Sequence, residues 1–168
     1  VRKEAEFTAF AQAAAPRLRQ IAYLMCRDWH LAQDLTQTAL TKMYLAWPRI
    51  TRRDHDPFAY ARKTLLNSLL DHKRLRSTTE VTTDHIPDHT PDAPHHATTT
   101  DTRLTLIDAL AQLTPRDRAI VLLRYWEDHT IETTADILGV TNSVIKTQSM
   151  RALATLRAHL HHTDQPAH

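Results

Sequence analysis

Apolar residues recur three and four positions apart along most of this chain. Phe7, Phe10, Ala11, Ala14, Leu18, Ile21 and Met25 mark one amphipathic helix, and Leu31, Leu35, Ala39, Met43 and Trp47 mark a second after a break near Asp28. A polar loop over 49–56 follows, with Arg52, Arg53, Asp54 and His55 in it. It ends in Asp56-Pro57, a capping carboxylate followed by proline at the first helical position, so a third helix is expected from Pro57. The apolar stripe of that helix is Phe58, Ala61, Leu65 and Leu69. Its polar stripe is Lys63, Asn67, Asp71 and Arg74, with Lys73 beside it and Arg76 beyond.

The pattern then lapses. Residues 79–103 hold almost no large apolar side chain and three prolines, so they cannot bury enough surface to offset their ordering entropy; the expectation is a flexible linker. Helical spacing resumes at Leu104, Ile107, Leu110 and Ala111. Thr114-Pro115-Arg116-Asp117 is a capping box that starts a further helix with Ile120, Leu123, Tyr125 and Trp126. Arg124, Glu127 and Asp128 are expected at its solvated end, without chemistry. From Thr130 a short helix runs to Gly139, the only glycine of the chain. Gly139 suits the left-handed residue that closes a helix, and Thr141 can cap the next one.

A helix, a glycine turn and a second helix with one apolar and one polar face make a helix-turn-helix over 130–160. Ala135 is the small residue facing the partner helix, and Val140 with Ile145 seals the angle. With Ile145, Ala152, Leu153 and Leu156 turned inward, Asn142, Ser143, Lys146, Thr147, Gln148 and Arg151 face outward, and no acidic residue lies between Asn142 and His159. Amides, hydroxyls and cations without a carboxylate suit base edges and phosphates, so this segment is expected to enter the major groove of DNA.

Composition agrees with a helical protein, since one glycine in 168 residues leaves little for tight turns. The fold class expected is all-α: two small helical domains, 1–78 and 104–162, joined by a flexible acidic linker over 79–103, with a disordered tail at 163–168. The net charge of +2 hides an uneven distribution. Residues 1–78 carry fourteen Lys and Arg against seven Asp and Glu, whereas 79–103 carry one against five. The chain is basic, then acidic, then mixed.

Cys26 has no partner cysteine and is expected to be a small buried hydrophobe. The histidine doublets at His95-His96 and His161-His162 sit in stretches too loose for a metal, so no metal or other cofactor is expected. No glycine-rich phosphate loop or nucleophile-base set is present, so no catalytic residue is assigned and the protein is not expected to be an enzyme. No apolar run is long enough for a membrane span, and the first residues do not read as a signal peptide. The expected location is the cytoplasm.

Four segments in order carry a resemblance. Residues 34–40, running on to 46–50, are similar to the domain 2 helix of the extracytoplasmic-function (ECF) class of bacterial RNA polymerase sigma factors, in its SigE-like branch. Residues 56–67 resemble that domain's −10 reading segment. Residues 113–128 look like the start of sigma domain 4, and 131–156 look like its promoter-reading helix-turn-helix.

The resemblance implies a protein that binds core RNA polymerase, recognises −35 and −10 promoter elements and promotes DNA melting. It implies that Asp34, Leu35, Gln37 and Thr38 meet the β′ clamp helices, while domain 4 docks on the β flap. Asn142, Ser143, Lys146, Thr147, Gln148 and Arg151 would read −35. Arg52, Arg53, His55, Lys63, Asn67, Asp71, Lys73, Arg74 and Arg76 would hold the opened −10 strand with a base turned out. The acidic linker would thread the polymerase active-site cleft and RNA exit channel, or serve as a passive tether. An anti-sigma factor would act from outside the chain, and no membrane is involved.

Two departures stand out. Thr38 replaces the usual glutamate of the clamp-binding helix, and Asn142-Ser143-Val144-Ile145 replaces the common Val-Gly-Thr-Val, which implies an altered −35 sequence. The alternative class is a stand-alone helix-turn-helix regulator, which would leave the Asp34 helix and the loop at 49–56 without a purpose.

Overall fold

The computed structural model describes residues 1–79 and 97–163 and the side chains of all of these except 73–79, 97–101, 162 and 163. Every regular element among the described residues is helical. The chain divides into two compact units, Val1–Leu75 and Arg76–His168.

The first unit is built from α1 (Arg2–Cys26), α2 (Trp29–Arg52) and α3 (Pro57–Thr79). Arg27 takes a left-handed conformation to close α1, and Asp28 caps α2 by accepting from the Leu31 amide at 3.0 Å. Ala14, Leu18, Ile21, Ala22 and Met25 of α1 are buried, as are Ala39, Met43, Trp47 and Ile50 of α2 and Ala61, Leu65, Leu66 and Leu69 of α3. At one end of the unit Phe7 stacks edge-on against Tyr44 and Trp47, with centroids 5.2 and 5.3 Å away.

Three expectations change here. Leu31 and Leu35 are only half-buried, and the buried stripe of α2 begins one residue later, at Ala32 and Thr36. Thr36 tolerates burial because its hydroxyl donates back to the Ala32 carbonyl at 2.7 Å. The helix also continues through Pro48 to Arg52, so the loop is 53–56 and not 49–56. Burial of Trp47 and Ile50 on either side of the proline offsets the one helix bond it removes. Cys26 is half-buried, and its thiol donates to the Asp28 carbonyl at 3.2 Å.

The second unit contains α4 (Ala97–Ala111), α5 (Pro115–Val121), a π-helical turn (Leu122–Trp126), α6 (Ile131–Leu138) and α7 (Asn142–Thr163). α4 therefore begins seven residues before Leu104, where the linker was expected to end. Residues 80–96 of that linker, with its acidic Glu80, Asp84, Asp88 and Asp92, lie outside the described residues, as do 164–168 of the tail.

Thr114 caps α5 by accepting from the Asp117 amide at 3.2 Å. Arg118 is buried, and its guanidinium donates to the carbonyls of Leu110 and Leu113 at 2.8 and 3.0 Å, which satisfies acceptors left over where α4 ends. Glu127 does not lie at a solvated helix end: its side chain is 2% exposed, 3.5 Å from the His129 ring. Arg124 likewise turns back to donate to the His129 carbonyl. Among the described residues no helix is long and apolar enough to cross a membrane.

Candidate nucleic-acid interface

The angle between α6 and α7 follows from a few local choices. Thr130 caps α6, accepting from the Thr133 amide at 3.1 Å. Gly139 ends it at φ 66° and ψ 37°, where a side chain would be strained by its own backbone. Thr141 then caps α7, accepting from the Val144 amide at 3.3 Å. Ala135 and Ile145 pack with Ile120 in a small buried core, and Ile131, Leu138 and Val140 close around it. Ile120 belongs to α5, so α5 and α6 together form the seat of α7.

On α7, Ile145, Ser149, Ala152 and Leu156 are buried and form the inner stripe. Asn142, Ser143, Lys146 and Thr147 are exposed, as expected of a face offered to DNA. Gln148 is half-buried on the flank, with its Oε1 enclosed and accepting no hydrogen bond among the described residues.

Arg151 is exposed but already engaged. Its Nε and Nη2 donate to both carboxylate oxygens of Asp117 at 2.7 to 3.0 Å, and that hydrogen bonding raises its pKa further. Asp117 is buried on α5, so the pair fastens the recognition helix to its seat. The absence of acids along α7 therefore does not extend to its surroundings. Glu132, at the start of α6, is close enough to Lys146 and Arg124 to feel their charge. Its carboxyl is held below the usual 4.5 mainly by a backbone hydrogen bond, then by the Thr130 hydroxyl, and less by the two cations.

In the first unit, Arg52, Arg53 and His55 are exposed around the short loop, and Lys63, Asn67 and Asp71 line one exposed stripe of α3. The loop is fixed at both ends. Arg49 donates to the Tyr60 hydroxyl at 3.1 Å, and Asp56 accepts from the Phe58 amide at 3.0 Å. Behind it, the guanidinium carbons of Arg17 and Arg62 lie 4.7 and 5.9 Å from the centre of the Phe58 ring. The side chains of Lys73, Arg74 and Arg76 lie outside the described residues.

On α2, Asp34, Gln37 and Thr38 are exposed, and Leu35 is half-buried beside them. Thr38 donates its hydroxyl to the Asp34 carbonyl at 2.9 Å. Leu45, 77% exposed, continues the same helical row past Thr41. Its exposure was not legible in sequence, where a leucine beside Trp47 reads as core.

Two helical units, the second holding a helix-turn-helix with a carboxylate-free outer row, have the features of a DNA-binding protein. Residues 10–79 match the model of sigma-70 region 2 and residues 109–158 that of sigma-70 region 4. Over 96% of its length the chain is 36% identical to the RNA polymerase sigma-E factor of Streptomyces avermitilis, covering 89% of that protein. It is 35% identical to the sigma-E factor of Streptomyces coelicolor over 92% of its length, covering 86% of that one. The chain belongs to the sigma-70 family of RNA polymerase sigma factors, in the sigma-E-like extracytoplasmic-function class.

The fold agrees with two solved structures. One is the sigma factor RpoE of Bartonella quintana, solved with the anti-sigma factor NepR (TM-score 0.72, 21% identity, 95% of this chain and 99% of that one). The other is CnrH, solved with the cytosolic domain of CnrY (TM-score 0.65, 18% identity, 96% of this chain and 91% of that one). Sigma factors are non-enzymatic regulatory proteins.

Proposed function

We propose that this chain is a promoter-specificity subunit: it binds core RNA polymerase, places α7 in the major groove of the −35 element and grips the opened −10 strand with its first unit. The observation that carries the reading is the exposed row Asn142, Ser143, Lys146 and Thr147 on a helix seated by Gly139 and Ile145, within a chain that has both sigma regions. Hydroxyl and amide groups can read base edges, and Lys146 can meet a phosphate.

In the first unit, Arg52, Arg53 and His55 would hold backbone phosphates while Lys63, Asn67 and Asp71 line the path of the strand. A base leaves the stack at a cost of a few kcal/mol, which phosphate contacts and an enclosing pocket can offset. The α2 face with Asp34, Leu35, Gln37 and Thr38 would meet the β′ clamp helices, and the second unit the β flap. Bond-making is left to the polymerase, so this chain carries no catalytic residue and needs no cofactor. The expected place of action is the cytoplasm, and an anti-sigma factor is an expected partner, as in the complex of RpoE with NepR.

The test is reconstitution with core polymerase and promoter DNA. An opened bubble and a run-off transcript that require both proteins are the expected result. Sequence-specific duplex binding that is indifferent to core polymerase would instead identify a stand-alone regulator.

A further inference from the structure

The outward row of α7 has an apolar residue at its centre. Met150 is 75% exposed, more than any other large hydrophobic side chain described in the second unit. It lies one turn beyond Lys146 and Thr147 and two turns beyond Ser143, all of them exposed, and so shares their row. Arg151, the next residue, is turned to the flank by Asp117, and Gln148 is half-buried on that side. From Asn142 to Met150 the helix rises about 12 Å, which is about the width of the major groove. A helix whose first turns lie in the groove therefore brings Met150 against base edges.

A single exposed methionine on an arbitrary surface needs no explanation. Here it stands among polar groups on the face that meets DNA, and its flexible thioether can settle against an irregular apolar surface. The apolar feature that a base pair offers in the major groove is the 5-methyl group of thymine. We infer that Met150 is a specificity-determining residue that reads a thymine methyl in the −35 element. The inference rests on the assignment of α7 as the −35 helix.

The test uses the full chain with core polymerase. A promoter randomised over −35 is first selected for binding, and each thymine of the selected sequence is then replaced singly by deoxyuridine, which removes only the methyl group. Wild-type protein should lose about fourfold in affinity at one position, the change expected for about 0.8 kcal/mol of methyl burial. Met150→Ala and Met150→Gln should bind thymine and deoxyuridine at that position equally, and Met150→Leu should retain the preference. The exposure of Met150 leaves the fold of these variants intact, which circular dichroism checks.

Indifference of the wild-type protein to every deoxyuridine overturns the inference, and so does a preference that persists in Met150→Ala. Failure of the wild-type protein with core to select any −35 sequence would overturn the assignment of α7 itself, and the inference with it.

Discussion

α2 and α7 each present a row of polar side chains for a partner, yet they are held in place differently. α2 is seated along most of its length by Ala32, Ala39, Leu40, Met43, Trp47 and Ile50, and its outer residues Asp34, Gln37 and Thr38 take no part in that packing. α7 is seated by Ile145, Ser149, Ala152 and Leu156, the first of them in the small core with Ile120 and Ala135, and the Arg151–Asp117 pair holds it further. On α2 the binding face is separable from the seat. On α7 a side chain of the outer half also serves as a fastening.

The largest expected effect follows from that difference. Ile145→Ala removes a side chain with no exposure, and Met43→Ala does the same in α2; each should cost about 2–5 kcal/mol in urea unfolding. Ile145→Ala should also abolish −35 recognition, because Ile145 is the α7 residue of the small core that sets the angle between α6 and α7. Met43→Ala, whose neighbours on α2 still hold the helix, should leave core binding nearly intact once correction is made for the folded fraction. Equal functional loss in the two variants would break the comparison.

What could be read in the sequence divides along the same line. Caps and turns are local, and Asp56-Pro57, Thr114-Pro115, Gly139 and Thr141 all announce themselves through residue types within a few positions. The polar row Asn142, Ser143, Lys146 and Thr147 followed from helical period alone. The Arg151–Asp117 pair joins residues 34 apart, and no period encodes it. Glu127 and Arg124 read as solvated charges because composition does not reveal that the ring and the carbonyl of His129 stand beside them. The loop expected over 49–56 was placed too early for the opposite reason: tertiary burial of Trp47 and Ile50 carries α2 on through Pro48 to Arg52. Met150 was passed over because an apolar residue on a helix defaults to core.

The turn should respond next. Gly139→Ala meets no atom within 4 Å, so its cost is that of the left-handed backbone alone, about 1–2 kcal/mol. Gly139→Asn should cost less, since asparagine enters that conformation more readily. A thermal melt of the two variants checks the order.

Thr130→Ala should follow, with about 1 kcal/mol lost from the cap. It should also raise the Glu132 pKa towards 4.5, because the Thr130 hydroxyl helps to hold it down. As a depressed folded-state pKa, that of Glu132 contributes stability that is present above 4.5 and is lost as pH falls through the lower folded value. The wild-type protein should therefore lose more stability than Thr130→Ala over that acid range, and carboxyl titration by NMR shows the shift directly.

The smallest expected effect on folding gives the sharpest contrast in function. Lys146→Ala and Gln37→Ala both alter exposed side chains and should each change stability by less than about 0.5 kcal/mol. If Lys146 meets a phosphate, its loss removes one released counterion, and the log-log salt dependence of promoter binding should flatten by about 0.9. Gln37→Ala should weaken the complex with core polymerase and leave that slope unchanged if its face of α2 meets protein, as proposed, and not DNA. Lys146 also lies within reach of the Glu132 charge, which keeps part of its field from the phosphate. Glu132→Gln should consequently tighten promoter binding at low salt, with the gain fading as screening rises. A salt slope that responds to Gln37 or ignores Lys146 would mean that the two faces had been assigned to the wrong partners.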